Sequence, residues 1–90
     1  MFDKQDLIAL ITTTMPYGKF QGRVLIDIPE EYLLWMNKQG MPEGRLGFLL
    51  SLALEIRING LEEILKPLRQ DPAVQKQVQA SRQPVNITRH

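Results

Sequence analysis

TTTMPYGKFQGRVLID, residues 12–27, is the stretch on which the fold class turns. Three β-branched threonines in a row disfavour helix, and Pro16 pushes Met15 toward an extended conformation. Gly18 and Gly22 bracket the connection GKFQG and supply the positive φ that a tight loop needs. Residues 14–17 and 23–26 on either side read as short extended runs. The stretch therefore predicts a small β-hairpin. Its tip carries two cations, Lys19 and Arg23, around one aromatic, Phe20.

The segments on both sides read as helices. FDKQDLIALIT, residues 2–12, has Asp3 as a plausible N-cap, with Leu7, Leu10, Ile11 and Thr14 at i, i+3, i+4 and i+7. IPEEYLLWMNKQG, residues 28–40, places Pro29 at a helix start, with Glu30 and Glu31 where the helix dipole favours anions. Gly40 suits its C-terminus. Tyr32, Trp35 and Met36 share one face, with Leu33 at its edge, and an aromatic pair one turn apart beside leucines reads as core. Residues 43–59 form the longest helix, apolar around most of its circumference, with Ser51, Glu55 and Asn59 as its polar stripe. Such a helix is central. Gly44, Gly47 and Ser51 give it a small-residue edge that another element can approach, and Asn59–Gly60 is a helix-stop signature. LEEILKPLR, residues 61–69, predicts a last amphipathic helix on Leu61, Ile64, Leu65 and Leu68, ended or kinked by Pro67. From Gln70 the chain turns polar.

These elements amount to one α+β domain, mostly helical: about four helices with one short β-hairpin over residues 1–70, then a flexible tail over 71–90. Ninety residues, 43% hydrophobic and 23% charged, suffice for a single modest core. The absence of cysteine excludes disulfides, zinc–thiolate sites and thiol nucleophiles. The N-terminal MFDKQDL carries acid where a secretory leader needs cations, and no run approaches the length of a membrane span. The expected compartment is the cytoplasm, with no membrane contact. Net charge is +1, so any electrostatic binding must come from a local patch.

Candidate chemistry is sparse. The single histidine is the C-terminal residue, His90, and Glu30–Glu31 and Glu62–Glu63 are adjacent pairs that point to different helix faces. No catalytic residues, metal site, cofactor or small-molecule substrate are expected, and the chain reads as a non-enzyme. GKFQGR is not a Walker loop, which needs GxxxxGK[ST]. GRLG, residues 44–47, spells the GxxG of KH domains without their strand order, so helix packing explains it better. The hairpin tip keeps two readings. Lys19 and Arg23 can neutralise phosphate while Phe20 stacks on a base, or the tip is a plain turn whose Phe20 folds back on the core.

MPYGKFQGRVLIDIPEEYLLWM, residues 15–36, resembles a motif of the form M-P-[FY]-G-K-[YF]-K-G-x-x-[LI]-x-[DE]-[IV]-P-x-x-Y-L-x-W. The segment GMPEGRLGFLLSLALEIRINGLEEILKPLR continues the likeness. The pattern resembles a small bacterial family named "putative quorum-sensing-regulated virulence factor". Gly18, Gly22, Asp27, Pro29, Tyr32 and Trp35 stand at its motif positions, and the resemblance implies a structural role for them. Gln21 departs from it, standing where Lys or Arg is usual, so this tip carries one cation fewer. The GKxxG…YLxW part is also similar to the accessory C-terminal domain of exodeoxyribonuclease X-like exonucleases, which implies an ancillary role near DNA or RNA. Two functions follow as expectations. One is an accessory module that contacts nucleic acid weakly through Lys19, Phe20 and Arg23. The other is a protein-interaction or self-association module, such as a homodimer, that acts as a virulence-related regulator.

Overall fold

A computed structural model describes residues 3–75. Four helices, α1 (Lys4–Thr12), α2 (Glu30–Gln39), α3 (Gly44–Ile58) and α4 (Lys66–Arg69), are joined by loops that contain two 3-10 turns, Leu25–Asp27 and Glu62–Leu65. Helix α3 is the centre of the fold: α1, α2 and the first 3-10 turn all pack against it. Its buried face of Leu49, Leu50, Ala53, Leu54 and Ile56 meets Leu10 and Ile11 from α1, Leu33 and Met36 from α2, and Leu25, Ile26 and Ile28 from the loop between them. No buried residue is polar or charged among those described.

The helix boundaries follow local chemistry. Asp3 caps α1 by accepting a hydrogen bond from the Gln5 amide at 2.8 Å. Pro29 stands one position earlier than expected, at the N-cap of α2, with Glu30 and Glu31 in the first turn. Helix α3 ends in a Schellman cap. The Gly60 amide donates to the Arg57 carbonyl at 3.2 Å and the Leu61 amide to the Ile56 carbonyl at 2.9 Å, with Gly60 at φ +66°.

The fold is all-helical, not α+β, and the expected β-hairpin does not form. The described residues contain no strand or sheet, only one isolated antiparallel bridge between Thr14 and Val24. The Met15 amide donates to the Arg23 carbonyl and the Gly22 amide to the Met15 carbonyl, both at 2.8 Å, and the Leu25 amide donates to the Thr13 carbonyl at 2.9 Å. Pairing stops there for two reasons. At the tip the Gly22 amide goes to the Met15 carbonyl and the Arg23 amide to the Phe20 carbonyl, so the returning arm turns away after one bridge. On the other side Leu25, Ile26 and Ile28 are all buried, whereas a strand would send Leu25 and Ile26 to opposite faces. A 3-10 turn lets all three face the core, closed by the Asp27 amide on the Val24 carbonyl at 2.9 Å. With no third strand to support it, a two-stranded ribbon is marginal in any case.

Other expectations shift in detail. Leu33, placed at the edge of the α2 face, is fully buried, and Trp35, placed in the core, is 54% exposed. Phe48 and Ile58 on α3 are half exposed, although Ser51, Glu55 and Asn59 do line the exposed stripe. Pro67 opens α4 instead of ending a helix, because the preceding turn is 3-10 and the missing N–H falls among amides that no helix would satisfy. Residues 72–75 are helical, and Val74 is buried against the core. Residues 76–90 of the tail, with His90, lie outside the described residues.

Of the small-residue edge on α3, Gly47 is the position that a neighbour requires. A Cβ there would lie 1.6 Å from the Pro42 carbonyl oxygen and 2.8 Å from its carbon. Helix propensity alone favours Ala over Gly by about 1 kcal/mol, so the sign of Gly47→Ala separates propensity from contact. The backbone clash wins: Gly47→Ala lowers stability by about 1–3 kcal/mol, read as a lower urea midpoint at unchanged slope. A raised midpoint would show that the Pro42 loop yields freely.

Candidate functional site

The bridged loop between α1 and α2 lies against one flank of α2. Its tip is built of two overlapping turns: the Gln21 amide donates to the Gly18 carbonyl at 3.1 Å and the Arg23 amide to the Phe20 carbonyl at 3.0 Å. Gly18 and Gly22 hold φ +83° and +88°, values that a side chain at either position would strain. Gly18 also faces the Tyr32 hydroxyl, 3.6 Å from where its Cβ would stand. The turns turn Phe20 inward, where it is half-buried, and leave Lys19, Gln21 and Arg23 exposed.

Phe20 meets Tyr32 edge-on, with ring centroids 4.8 Å apart and planes at 74°. Tyr32 meets Trp35 at 5.5 Å with a 31° tilt. Three rings thus form one row across the loop–α2 junction, in geometries that aromatic pairs favour. The cations lie at its loop end. The Arg23 guanidinium is 5.1 Å and the Lys19 ammonium 5.6 Å from the Phe20 centroid, within cation–π range. Among the described residues neither has a carboxylate partner. The contrast is with Arg45, paired to Asp6 at 2.7 Å, Arg69, paired to Asp27 at 3.4 Å, and Lys66, paired to Glu63 at 3.2 Å.

The structure therefore gathers Lys19, Phe20, Arg23, Tyr32 and Trp35 into one surface cluster, with Gly18 and Gly22 shaping its loop. Asp27 and Pro29 serve the join behind it, Asp27 through Arg69 and Pro29 as the cap of α2. Phe20 is the base of the cluster, its ring already engaged on its edge and by both cations. The residue that sequence reasoning misplaced is Trp35. The signal was available: Leu33 and Met36, three apart, define the buried stripe of α2, and Trp35 lies on its flank. Among the described residues no three His, Asp or Glu side chains converge as a metal site would need, and no helix is long and apolar enough to cross a membrane.

What fold and site define is a small helical domain that presents a cation-edged aromatic row where a closed loop meets α2. Residues 3–68 match the family described as "Putative quorum-sensing-regulated virulence factor", and the chain belongs to that family. The chain is similar to "Uncharacterized protein YpeB" of Escherichia coli strain K12, 47% identical over 68 residues that cover 74% of this chain and 94% of that protein. The YpeB of Escherichia coli O157:H7 matches to the same extent. No solved structure matches. The match takes in the whole loop and α1 to α3, so the cluster lies within the shared region.

Trp35 and Leu33 offer a direct test of which residue of α2 is core. Trp35→Ala costs less than about 1 kcal/mol, as exposed substitutions do, whereas Leu33→Ala costs about 2–5 kcal/mol. Urea melts followed by far-UV circular dichroism check both. Equal losses would place the indole in the core.

Proposed function

We propose that this chain is a non-catalytic, cytoplasmic accessory module that contacts nucleic acid weakly, with Lys19 and Arg23 neutralising backbone phosphates. The observation that carries the reading is the pair of exposed cations held side by side over Phe20 with no carboxylate to satisfy them. Arg45 and Arg69, by contrast, are held by Asp6 and Asp27. A cation lying against an aromatic ring has a fixed position and keeps its outward donors for an anion. The likeness of the GKxxG…YLxW segment to the accessory domain of exodeoxyribonuclease X-like exonucleases points the same way. The family's name adds a link to virulence, without specifying a molecular activity.

The alternative of self-association has weaker support. The exposed apolar residues of α3, Phe48 and Ile58, are ten residues apart, about 15 Å along the axis, with exposed Ser51 and Glu55 between them. Single exposed apolar residues are ordinary on a monomer.

Two or three phosphate contacts give a log–log dependence of affinity on salt with a slope of about −1.4 to −2.1 for a single strand and about −1.8 to −2.7 for a duplex. Titration of labelled single- and double-stranded oligonucleotides at low salt, with wild type and the Lys19→Ala/Arg23→Ala double variant, measures it. Loss of binding in the variant is the expected result. Binding that the variant retains in full removes the proposal.

A further inference from the structure

Trp35 is the one tryptophan of the chain, and it closes the aromatic row at the end away from the cations. We infer that its outer indole face is a stacking platform for an unpaired base, so that the module takes single-stranded nucleic acid in preference to duplex. The inference rests on the phosphate-contact reading above and names the form of nucleic acid that the same surface accepts.

Phe20 is poorly placed to serve as the platform. It is half-buried in a T-shaped contact with Tyr32, and Arg23 and Lys19 lie over its ring. Tyr32 is enclosed between Phe20 and Trp35. Of the three rings Trp35 is the one that is mostly exposed, at 54% of its surface, with Tyr32 as its one aromatic neighbour among the described residues. A nucleobase continues such a row with its own flat π-face, whatever its identity, and this contact contributes to binding in single-strand proteins. Bases in a duplex are covered by their neighbours on both faces, so only an unpaired one presents a face to the indole. The charges run the right way along the row. The cations lie at the Phe20 end, two ring contacts from Trp35, so a strand laid along it sets phosphate against Arg23 and Lys19 and a neighbouring base against the indole. On α2 the charged residues one turn from Trp35 are Glu31 and Lys38, both exposed and of opposite sign, so the local charge of the helix neither attracts nor repels the strand.

The lone tryptophan also reports its own engagement. The full chain is titrated at low salt with a labelled oligothymidylate of about 15 nucleotides and with a blunt duplex of the same length, following label anisotropy and tryptophan emission together. Single-strand binding that quenches the emission, with weaker duplex binding, is expected. Trp35→Ala then weakens single-strand binding roughly tenfold or more, while Trp35→Phe retains most of it and shows that a planar ring is what matters. Far-UV circular dichroism verifies that both variants fold. Binding with unchanged emission, and with Trp35→Ala as tight as wild type, overturns the stacking inference; if Lys19→Ala/Arg23→Ala still abolishes that binding, the phosphate reading survives. Absence of binding to either oligonucleotide overturns both.

Discussion

Everything at the functional end of this molecule depends on the burial of Leu25, Ile26 and Ile28 without a strand to hold them. Their side chains fill the space between α1 and α3, and the backbone that carries them needs partners there. It finds them one at a time: the Leu25 amide on Thr13, the Asp27 amide on Val24, the Ile28 amide on Leu25. The Ile26 carbonyl is met from α3, by Arg57 Nη1 at 3.0 Å. Arg57 is a costly device, because its Nε is buried and donates to nothing among the described residues. Its bond fixes this turn against α3, and the turn anchors the returning arm of the loop that carries Lys19, Phe20 and Arg23.

Anchoring at one end explains why a loop without strands holds a defined surface. From Thr13 to Leu25 the chain leaves and returns through three backbone hydrogen bonds, and its tip rests on α2 through Phe20 and Tyr32. Loop and helix therefore behave as one packed unit. The aromatic contact does two things at once. It adds about 0.5–1.5 kcal/mol beyond area burial, and it sets the direction in which the flanking cations point.

The helices were legible in the sequence because their signals are local. Asp3, the Glu30–Glu31 pair and the Asn59–Gly60 stop each act within one turn of themselves, and residues 43–59 overrun the observed α3 by a single residue at each end. The loop was not legible in the same way. Gly18, Gly22 and the flanking β-branched residues suit a hairpin and a bridged loop equally well. The choice between them was made at a distance, by the need to bury three residues against α3. Trp35 failed for a related reason. Aromatic content argues for burial, but the stripe that α2 buries is set by where α3 lies, and Leu33 and Met36 take it. The candidate cluster was partly legible: Lys19, Phe20 and Arg23 stood out in the sequence as a tip, but whether Phe20 faces out or in did not, and the structure half-buries it while exposing Trp35.

The size of the surface limits what it can discriminate. Under the proposed function, two cations would supply a binding term that falls steeply with salt and carries no sequence information. Gln21 between them is uncharged, so the tip offers no third cation. Stacking on one indole adds a contribution that depends on a free base face and hardly on which base it is. Neither term reads hydrogen-bond edges, and the cluster offers no pair of side chains placed to do so. On the proposed reading, a surface of this kind would separate nucleic acid by form, single strand from duplex, not by sequence. Because its two parts lie at opposite ends of one rigid row, a ligand gains both only if phosphate and exposed base are carried on the same flexible chain.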